Sequence, residues 1–181
     1  KHLRAQKPYK KRSGTNERRG SITCRTSIHE RPAEIETRER LGDFEGDTVV
    51  GEKHKGALVT LVDRKSLFTL MKMLPSKHTA NVVQACVDLL KPVGALSVTF
   101  DNGKEFAAHM RLREVGIDTF FADPYCSVQR ARNENTNGLI RQYLPKGCPF
   151  VGVSDDFVAT VQDALNHRPR KTLNWLTPTQ V

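Results

Sequence analysis

The chain has 181 residues, of which 38% are hydrophobic and 27% are charged, and its formal net charge is +9. These values are typical of a globular protein with one α/β domain and an appendage. No apolar run approaches the roughly 20 residues that cross a bilayer, and no signal peptide is recognisable, so we expect neither a membrane-spanning nor a secreted protein.

The number and spacing of the cysteines indicate the cellular compartment. The four cysteines are widely scattered, and no pair has the spacing of a zinc site. A disulfide framework is also unusual in a chain of this size. We therefore expect reduced thiols in a bacterial cytoplasm, with Cys86 as a small core residue of a helix.

The positive charge is concentrated at the N-terminal end. Residues 1–31 contain ten Lys or Arg against two Glu, whereas the remaining 150 residues have a net charge of only +1. A basic arm is suited to binding phosphates, because each neutralised phosphate releases condensed counterions. The alternative is a solvated linker with no partner. We divide the chain into a basic, largely irregular arm (1–40) and a core domain (41–181).

Three strands are predicted after a short helical turn at 31–40. They are 47–50, 58–62 and 68–74. The short polar segments between them favour an antiparallel meander. The second strand is continuously apolar and β-branched, as expected of a buried central strand. A helix then begins with Thr79 as its predicted N-cap and ends before Pro92.

The second half of the chain alternates between helices and strands. Strands are predicted at 96–100 and 117–121, and helices at 104–115, 133–144 and 154–167. Three consecutive strands followed by alternating elements indicate a three-layer α/β fold with a mixed five-stranded sheet. This pattern is what a ribonuclease-H-like fold would give. The order of the strands within the sheet cannot be derived from one sequence.

Three carboxylates stand out by their positions. Asp47 lies inside the first strand, where an acid is costly to bury without a partner or a cation. Asp101 directly follows the fourth strand, and Glu134 lies near the start of a helix. Phosphodiester cleavage or transfer needs a nucleophilic oxygen, a stabilised leaving oxygen and charge neutralisation at phosphorus, and two Mg²⁺ ions supply all three. Carboxylate oxygens are suitable ligands for such ions.

Each of these acids also has an ordinary structural explanation. Asp47 would be a buried hydrogen-bond acceptor, Asp101 would belong to a simple turn, and Glu134 would be favoured by the helix dipole. Spacing alone does not exclude the other carboxylates, which are Glu45, Asp63, Glu105 and Asp123.

Polar groups recur along the helix that carries Glu134. Arg130, Glu134, Asn137 and Arg141 are four, three and four positions apart, so one face would carry a metal ligand and DNA-contacting groups together. Charged stripes on helices are also common on solvated faces, so this pattern alone does not establish a site.

Several tracts resemble the IS-thirty family of insertion-sequence transposases. They are GDFEGDTVVG, KGALVTLVDRKS, TFDNGKEFAAH, FADPYCSVQRARNENTNGLIRQYLPKG and LNHRPRKTLNWLTP. The stretch SIHERPAEIETRERLGDFEGD resembles the segment that leads into the family's core. The resemblance covers nearly everything from Ser27 to the end. Tracts as long as NENTNGLIRQY are specific, whereas a bare DDE triplet is not.

The resemblance implies a DDE catalytic domain of ribonuclease-H-like fold, related in mechanism to retroviral integrases. The family's acidic triad falls on Asp47, Asp101 and Glu134. Two departures are visible: Phe44 replaces the family's common Trp, and the loop 128–132 (VQRAR) lacks its usual Trp and Gly. The family's N-terminal helix-turn-helix elements are absent, so we expect a core fragment of a longer protein.

The implied function is Mg²⁺-dependent cleavage of DNA at element ends, followed by strand transfer into target DNA. Asp47 would bridge two Mg²⁺ ions (or Mn²⁺ as a substitute), with Asp101 holding one and Glu134 the other. Asn102 would support Asp101. The expected DNA contacts are Lys104, Arg130, Asn133, Asn137 and Arg141. The implied partners are element-end and target DNA and further copies of the chain, with no membrane, near the bacterial nucleoid.

Two other functions fit the same residues. A nuclease of this fold would hydrolyse DNA without joining strands, and a non-catalytic module would bind DNA or assemble on it without cutting. A hydrolase acting on another substrate would leave the basic arm unexplained. The C-terminal region is less informative: His167 would contact DNA or, as is more common, the end of its helix, and Trp175 is predicted to pack against the domain.

Overall fold

The computed structural model describes residues 22–124 and 126–181, so most of the basic arm lies outside the described residues. The described part is one α/β unit built on a five-stranded sheet. Its strands are β1 (Asp43–Val50), β2 (Ala57–Asp63), β3 (Thr69–Leu74), β4 (Ser97–Phe100) and β5 (Asp118–Phe121). Its α-helices are α1 (Ala33–Thr37), α2 (Thr79–Leu90), α3 (Met110–Glu114), α4 (Ala131–Ile140) and α5 (Asp155–Asn166).

The strand order in the sheet is β3-β2-β1-β4-β5. The first three strands pair antiparallel as consecutive neighbours. The last two run parallel to β1, because a helical connection before each of them returns the chain to the end of the sheet at which β1 begins. The predicted meander and the mixed five-stranded sheet are therefore confirmed, and β1 lies at the centre.

Helices cover both faces of the sheet and form the predicted three layers. One face packs against α2 and α3 through a cluster that includes Val83, Cys86 and Phe100. The other packs against α4 and α5 through a cluster that includes Leu58 and Ile140. Cys86 is fully buried, as predicted, and burial raises the pKa of its thiol to about 12. Every residue of β2 is buried, which confirms it as a central strand.

Alternation along β1 determines which side chains lie under α4. Phe44 belongs to the cluster beneath α2, whereas Val49 belongs to the cluster beneath α4 and α5. Since successive side chains of a strand point to opposite faces, Glu45 and Asp47 share the α4 face with Val49. The strand thus presents two acids to the N-terminal half of α4.

The free edge of the sheet is sealed by α5. The amide of Asn166 accepts from the backbone N–H of Thr69 at 2.8 Å and donates to its carbonyl at 2.9 Å. Gln162 accepts from the backbone N–H of Met71 at 2.7 Å. These side chains pair backbone groups of β3 that would otherwise be available to another strand.

The described part of the segment before β1 packs against the sheet. The carbonyl of Thr26 accepts from the backbone N–H of Phe121 at 3.0 Å, and Ile35 of α1 is 1% exposed. This packing brings the arginines of the segment next to β1.

None of the helices in the described residues combines the length and the apolar character that a bilayer crossing requires.

Two local predictions were wrong. His78, not Thr79, is the N-cap of α2, and the Thr79 hydroxyl donates to the carbonyl of Lys104 at 3.0 Å. Trp175 is 69% exposed instead of packed, in a turn where its own backbone is left-handed (φ 66°). In both cases a tertiary contact or turn geometry, which sequence spacing does not encode, determines the outcome.

Candidate active site

Asp47, in the middle of β1, lies beside Asp101, which directly follows the neighbouring strand β4. In the parallel pair β1/β4, Glu45 is opposite Thr99. Two residues further along both strands, the same register places Asp47 next to Asp101, and adjacent strands are about 5 Å apart. The sheet thus brings together two acids that are 54 positions apart in the sequence.

Arg130 lies between the two carboxylates. Its Nη1 is 3.6 Å from Oδ2 of Asp47, and its Nη2 is 3.6 Å from Oδ2 of Asp101. Nη1 also donates to the carbonyl of Gly46 at 3.2 Å. One guanidinium therefore serves two carboxylates, which leaves this pair with one negative charge in excess.

The Asp47 carboxylate is held by two further donors. Its Oδ1 accepts from the backbone N–H of Thr48 at 2.9 Å, and its Oδ2 accepts from the Asn137 amide at 3.0 Å. Burial raises the pKa of Asp47, and the charges of Asp101 and Glu105 raise it further. Arg130 and the Thr48 bond oppose this shift without cancelling it. Asp47 is thus an acid whose charge is under-compensated in the folded protein.

The turn after β4 orients Asp101. Its Oδ1 accepts from the backbone N–H of Gly103 at 2.9 Å. The amide of Asn102 donates to the carbonyl of Ala122 at 2.7 Å, which ties this turn to the end of β5. Asn102 therefore anchors the segment that carries Asp101, in line with the supporting role expected of it.

Glu105 is a third acid close to Asp47. Its Oε1 accepts from the Thr48 hydroxyl at 2.8 Å and from Lys77 Nζ at 3.1 Å. Burial alone would raise the pKa of Glu105, but hydrogen bonds from its own backbone, Thr48 and Lys77 outweigh burial and lower it. Sequence spacing had left Glu105 open as a candidate acid, whereas Lys77 and Thr48 carried no recognisable signal.

Polar groups dock the start of α4 on the sheet. The backbone N–H of Asn133 donates to Oε2 of Glu45 at 3.0 Å, and its amide donates to the carbonyls of Glu45 at 2.8 Å and Thr60 at 3.2 Å. Asn133 is fully buried. Its assignment as a DNA contact is therefore corrected: a side chain enclosed in this way positions α4 instead. Asn137 joins the Thr60 hydroxyl (3.1 Å) to Asp47 in the next turn.

Glu134 lies on α4 between these docking residues, and its side chain is exposed. Among the residues that the structure describes, no group of three or more His, Cys, Asp or Glu side chains is arranged to hold a metal ion. The structure thus brings Asp47 and Asp101 together, and among the described residues Glu134 does not complete a group of three acids with them. The metal-binding role of the triad stays a prediction.

The chemistry of the donor set nevertheless fits a hard divalent cation. Asp47 and Asp101 offer carboxylate oxygens, and Arg130 already supplies positive charge at the place where they meet. Arg130 is the N-cap residue of α4, and Glu134 lies four residues after it, in the first turn of the helix.

The other predicted DNA contacts differ in their accessibility. Lys104 is exposed, three residues after Asp101. Arg141 donates to the carbonyls of Val50 at 3.3 Å and Leu144 at 3.2 Å, and it lies over the ring of Phe150. Arg141 therefore fixes the end of α4 to β1. His167 contacts the carbonyl of Asp163 at 3.0 Å, which is the helix-end position considered for it.

This arrangement of a mixed five-stranded sheet between two helical layers is a ribonuclease-H-like fold. It matches a chain in the cryo-EM structure of the simian T-cell lymphotropic virus intasome in complex with PP2A regulatory subunit B56 gamma, with a TM-score of 0.62. The identity is 17%, and the match covers 76% of this chain and 52% of that chain. The predicted fold class is thereby confirmed.

Curated relatives then identify the family. The chain is 44% identical, over 99% of its length, to the transposase for insertion sequence element IS4351 of Bacteroides fragilis. It is 40% identical over 94% of its length to the transposase for IS1086 of Cupriavidus metallidurans, and 41% identical over 89% to transposase InsI for IS30A of Escherichia coli. The chain belongs to the IS-thirty (IS30) family of insertion-sequence transposases.

The chain spans about half the length of these relatives, covering 56%, 51% and 43% of them in the same order. No family model matches the chain.

Proposed function

We propose that this chain is the catalytic core of a DDE transposase that cuts DNA at element ends and transfers the cut strands into target DNA. The observation that carries the proposal is that Asp47 of β1 and Asp101, directly after the parallel neighbour β4, both lie 3.6 Å from the guanidinium of Arg130. Transposase relatives that match nearly the whole chain support the same conclusion.

In this proposal, neighbouring residues of the chain orient the carboxylates of Asp47 and Asp101 for binding hard divalent cations. The Thr48 backbone and the Asn137 amide fix both oxygens of Asp47, and the Gly103 backbone fixes one oxygen of Asp101. Groups that are oriented in advance need no reorganisation when charge develops during a reaction.

Asp47, Asp101 and Glu134 would hold two Mg²⁺ ions, or Mn²⁺ as a substitute. Such ions make water or a 3′-hydroxyl nucleophilic at neutral pH and stabilise the departing oxygen. Arg130 now neutralises the same two aspartates, so we expect it to release them on loading and to contact a DNA phosphate, for which its planar guanidinium is well suited. Lys104 is the second proposed DNA contact.

The partners in this proposal are element-end DNA, target DNA and further copies of the chain assembled on them, in the bacterial cytoplasm near the nucleoid. Two element ends joined to one target would be served by two active sites, which is why further copies of the chain belong to the proposal. The same assembly would contribute contacts that one copy alone does not make.

The test is a supercoiled-plasmid assay with element-end DNA and Mg²⁺ or Mn²⁺. The parent chain is expected to nick and join DNA, and Asp101→Asn is expected to lose both activities by at least about a hundredfold, since an interaction made in the transition state is removed. Asp118→Asn, which removes an exposed acid at the start of β5, is the matched control.

Activity of Asp101→Asn equal to that of the parent would refute the site. Nicked products without joined strands would identify a nuclease of the same fold instead of a transposase.

A further inference from the structure

A cavity lined by arginines lies beside the candidate active site. It has a volume of about 240 Å³, and its walls include Arg31, Arg38 and Arg64, together with Glu36 and Gln129. We call this cavity, together with the adjacent Arg132, the arginine pocket. Asp47, Asp101 and Glu134 do not line it, so it is separate from the carboxylate site.

The buried arginines of the pocket are only partly neutralised. The side chains of Arg31 and Arg64 are each 1% exposed, and both form ion pairs with Glu36. Arg64 Nη1 also lies 3.3 Å from Oε1 of Glu45. Within the described residues, Arg38 and Arg132 form no ion pair. Four guanidinium groups thus face two carboxylates, and the excess is two positive charges.

Nearby acids do not remove this excess. Asp43, which precedes Glu45 on β1, is already bound by Arg40 at 2.7 Å. Burial, followed by the charge of Arg64, lowers the pKa of Arg31 to about 10. Burial, followed by the charge of Arg38, lowers the pKa of Arg132. The like charges therefore repel one another in a place where water screens them poorly.

The pocket also contains hydrogen-bond donors without acceptors. The Nε–H groups of Arg31, Arg38, Arg64 and Arg132 are all buried and have no hydrogen-bond partner among the described residues. An unsatisfied buried donor destabilises the folded state, and more so when it is charged, so four in one region call for an explanation. A compact anion in the cavity would neutralise the excess positive charge and accept hydrogen bonds from guanidinium groups that line the cavity walls.

We propose that the arginine pocket binds a phosphate group, namely a backbone phosphate of the DNA strand that is held at Asp47. Arginine is well suited to this ligand, because its planar array of donors matches the oxygens of a phosphate. This inference rests on the proposed function for the identity of the strand. The capacity of the pocket to bind phosphate does not depend on it.

The position of the pocket agrees with a strand that runs across both sites. Arg64 pairs with Glu45, which lies two residues before Asp47 on the same face of β1. Two residues of a strand span about 7 Å, which is close to the axial rise of two nucleotides in B-form DNA. One phosphate in the pocket would fix the position of the next phosphates along the strand relative to the two aspartates.

The first experiment measures phosphate binding without DNA. Thermal unfolding of the full chain is followed in sodium phosphate and in sodium chloride at matched ionic strength. The parent is expected to gain a saturable rise in Tm specific to phosphate, because a ligand that binds only the folded state stabilises it. Arg38→Gln should lose this rise. Glu36→Gln, which removes a competing carboxylate, should enlarge it.

Arg111→Gln is the matched control, because it removes one exposed arginine that bonds only to Gln84 within the described residues. It should respond to phosphate as the parent does. Equal responses of the parent and Arg38→Gln, or no response in either, would overturn the proposal.

The second experiment asks whether the phosphate belongs to DNA. The affinity of the full chain for duplex DNA is measured across a range of salt concentrations. Arg38→Gln should bind about tenfold more weakly than the parent, as expected for loss of a charged hydrogen bond. Its log–log salt slope should be shallower by about 0.9, the value of one released phosphate contact. Arg111→Gln should keep the parent's slope.

The two arms separate the sources of phosphate. A phosphate-specific rise in Tm with an unchanged DNA slope would show that the pocket takes a free phosphate, and would overturn its assignment to DNA. Failure of the arginine pocket to bind phosphate is also distinguishable from failure of the proposed function. Full activity of Asp101→Asn refutes only the catalytic site, whereas the phosphate response of Arg38→Gln tests only the pocket.

Discussion

The backbone N–H of Asn133 donates to the buried carboxylate of Glu45 at 3.0 Å, and this bond fixes the start of α4 over the centre of β1. Asp47 lies two residues beyond Glu45, and Glu134 directly follows Asn133. The bond therefore sets the separation between β1, which carries Asp47, and α4, which carries Glu134. The other oxygen of Glu45 pairs with Arg64, so the same carboxylate links the active-site frame to the arginine pocket.

Loss of the Glu45 charge should destabilise the fold. Glu45→Gln leaves the buried Arg64 with less compensation, and removal of one partner from a buried ion pair typically costs about 3 kcal/mol or more. We expect the free energy of unfolding, measured by urea denaturation, to fall by about that amount. Glu52→Gln removes an exposed carboxylate just after β1 and should change it by less than about 0.5 kcal/mol. Similar values for the two variants would contradict the structural role of Glu45.

Removal of the Asp47 charge should stabilise the fold, whereas loss of the Glu45 charge should destabilise it. The raised pKa of Asp47 means that its ionised form is less favourable in the folded than in the unfolded chain. This penalty is absent below the ordinary pKa of an aspartate, near 4, and grows as pH rises through the raised value. Asp47→Asn should therefore have a higher Tm than the parent at pH 7, with the difference vanishing below about pH 4.

Scanning calorimetry between about pH 4 and pH 7 measures the difference in Tm between Asp47→Asn and the parent directly. Asp118→Asn controls for the removal of one negative charge from the protein as a whole. A Tm of Asp47→Asn that is lower than that of the parent at neutral pH would show that its hydrogen bonds outweigh its burial.

Arg130 and metal ions should compete for the same carboxylates. In DNA-free protein, Arg130→Gln removes the guanidinium that lies 3.6 Å from both Asp47 and Asp101. We expect Mn²⁺ to bind this variant about tenfold more tightly than the parent, a gain of about 1.4 kcal/mol, in calorimetric titrations. Arg141→Gln removes the same charge at the far end of α4 and should bind Mn²⁺ as the parent does. Equal affinities for all three proteins would show that Arg130 does not occupy the cation position.

Gly46 should tolerate no side chain. A Cβ at this position would lie 2.7 Å from Cδ1 of Phe100, whose ring is stacked on Phe106 and cannot move away freely. Gly46→Ala should lower the free energy of unfolding by about 3 kcal/mol through overpacking. Gly138 in α4 has open space where a methyl group would lie, with no neighbouring atom within 4 Å, and Gly138→Ala should raise stability by up to about 1 kcal/mol. Urea denaturation of the pair tests both, and a stable Gly46→Ala would refute the close packing.

Much of the secondary structure was predictable, because the periodicity of hydrophobic residues is a local property. The continuously apolar β2 is buried along its whole length, and the helical spacing that placed Cys86 in the core of α2 is confirmed. Thr79 and Trp175 were misassigned, because the hydroxyl of Thr79 bonds to the distant Lys104 and Trp175 lies in an exposed turn, and neither feature is local to the sequence.

The sequence by itself determined the elements, their order along the chain, and the positions of Asp47 and Asp101 within or directly after a strand. The tertiary structure alone decided that β1 and β4 are parallel neighbours, so that two acids 54 positions apart become adjacent. It also decided that Arg130 lies between them, that Asn133 is buried, and that arginines from separate segments surround one cavity. The physical reason is that strand order and helix docking depend on long-range pairing and burial, which leave no periodic trace in the sequence.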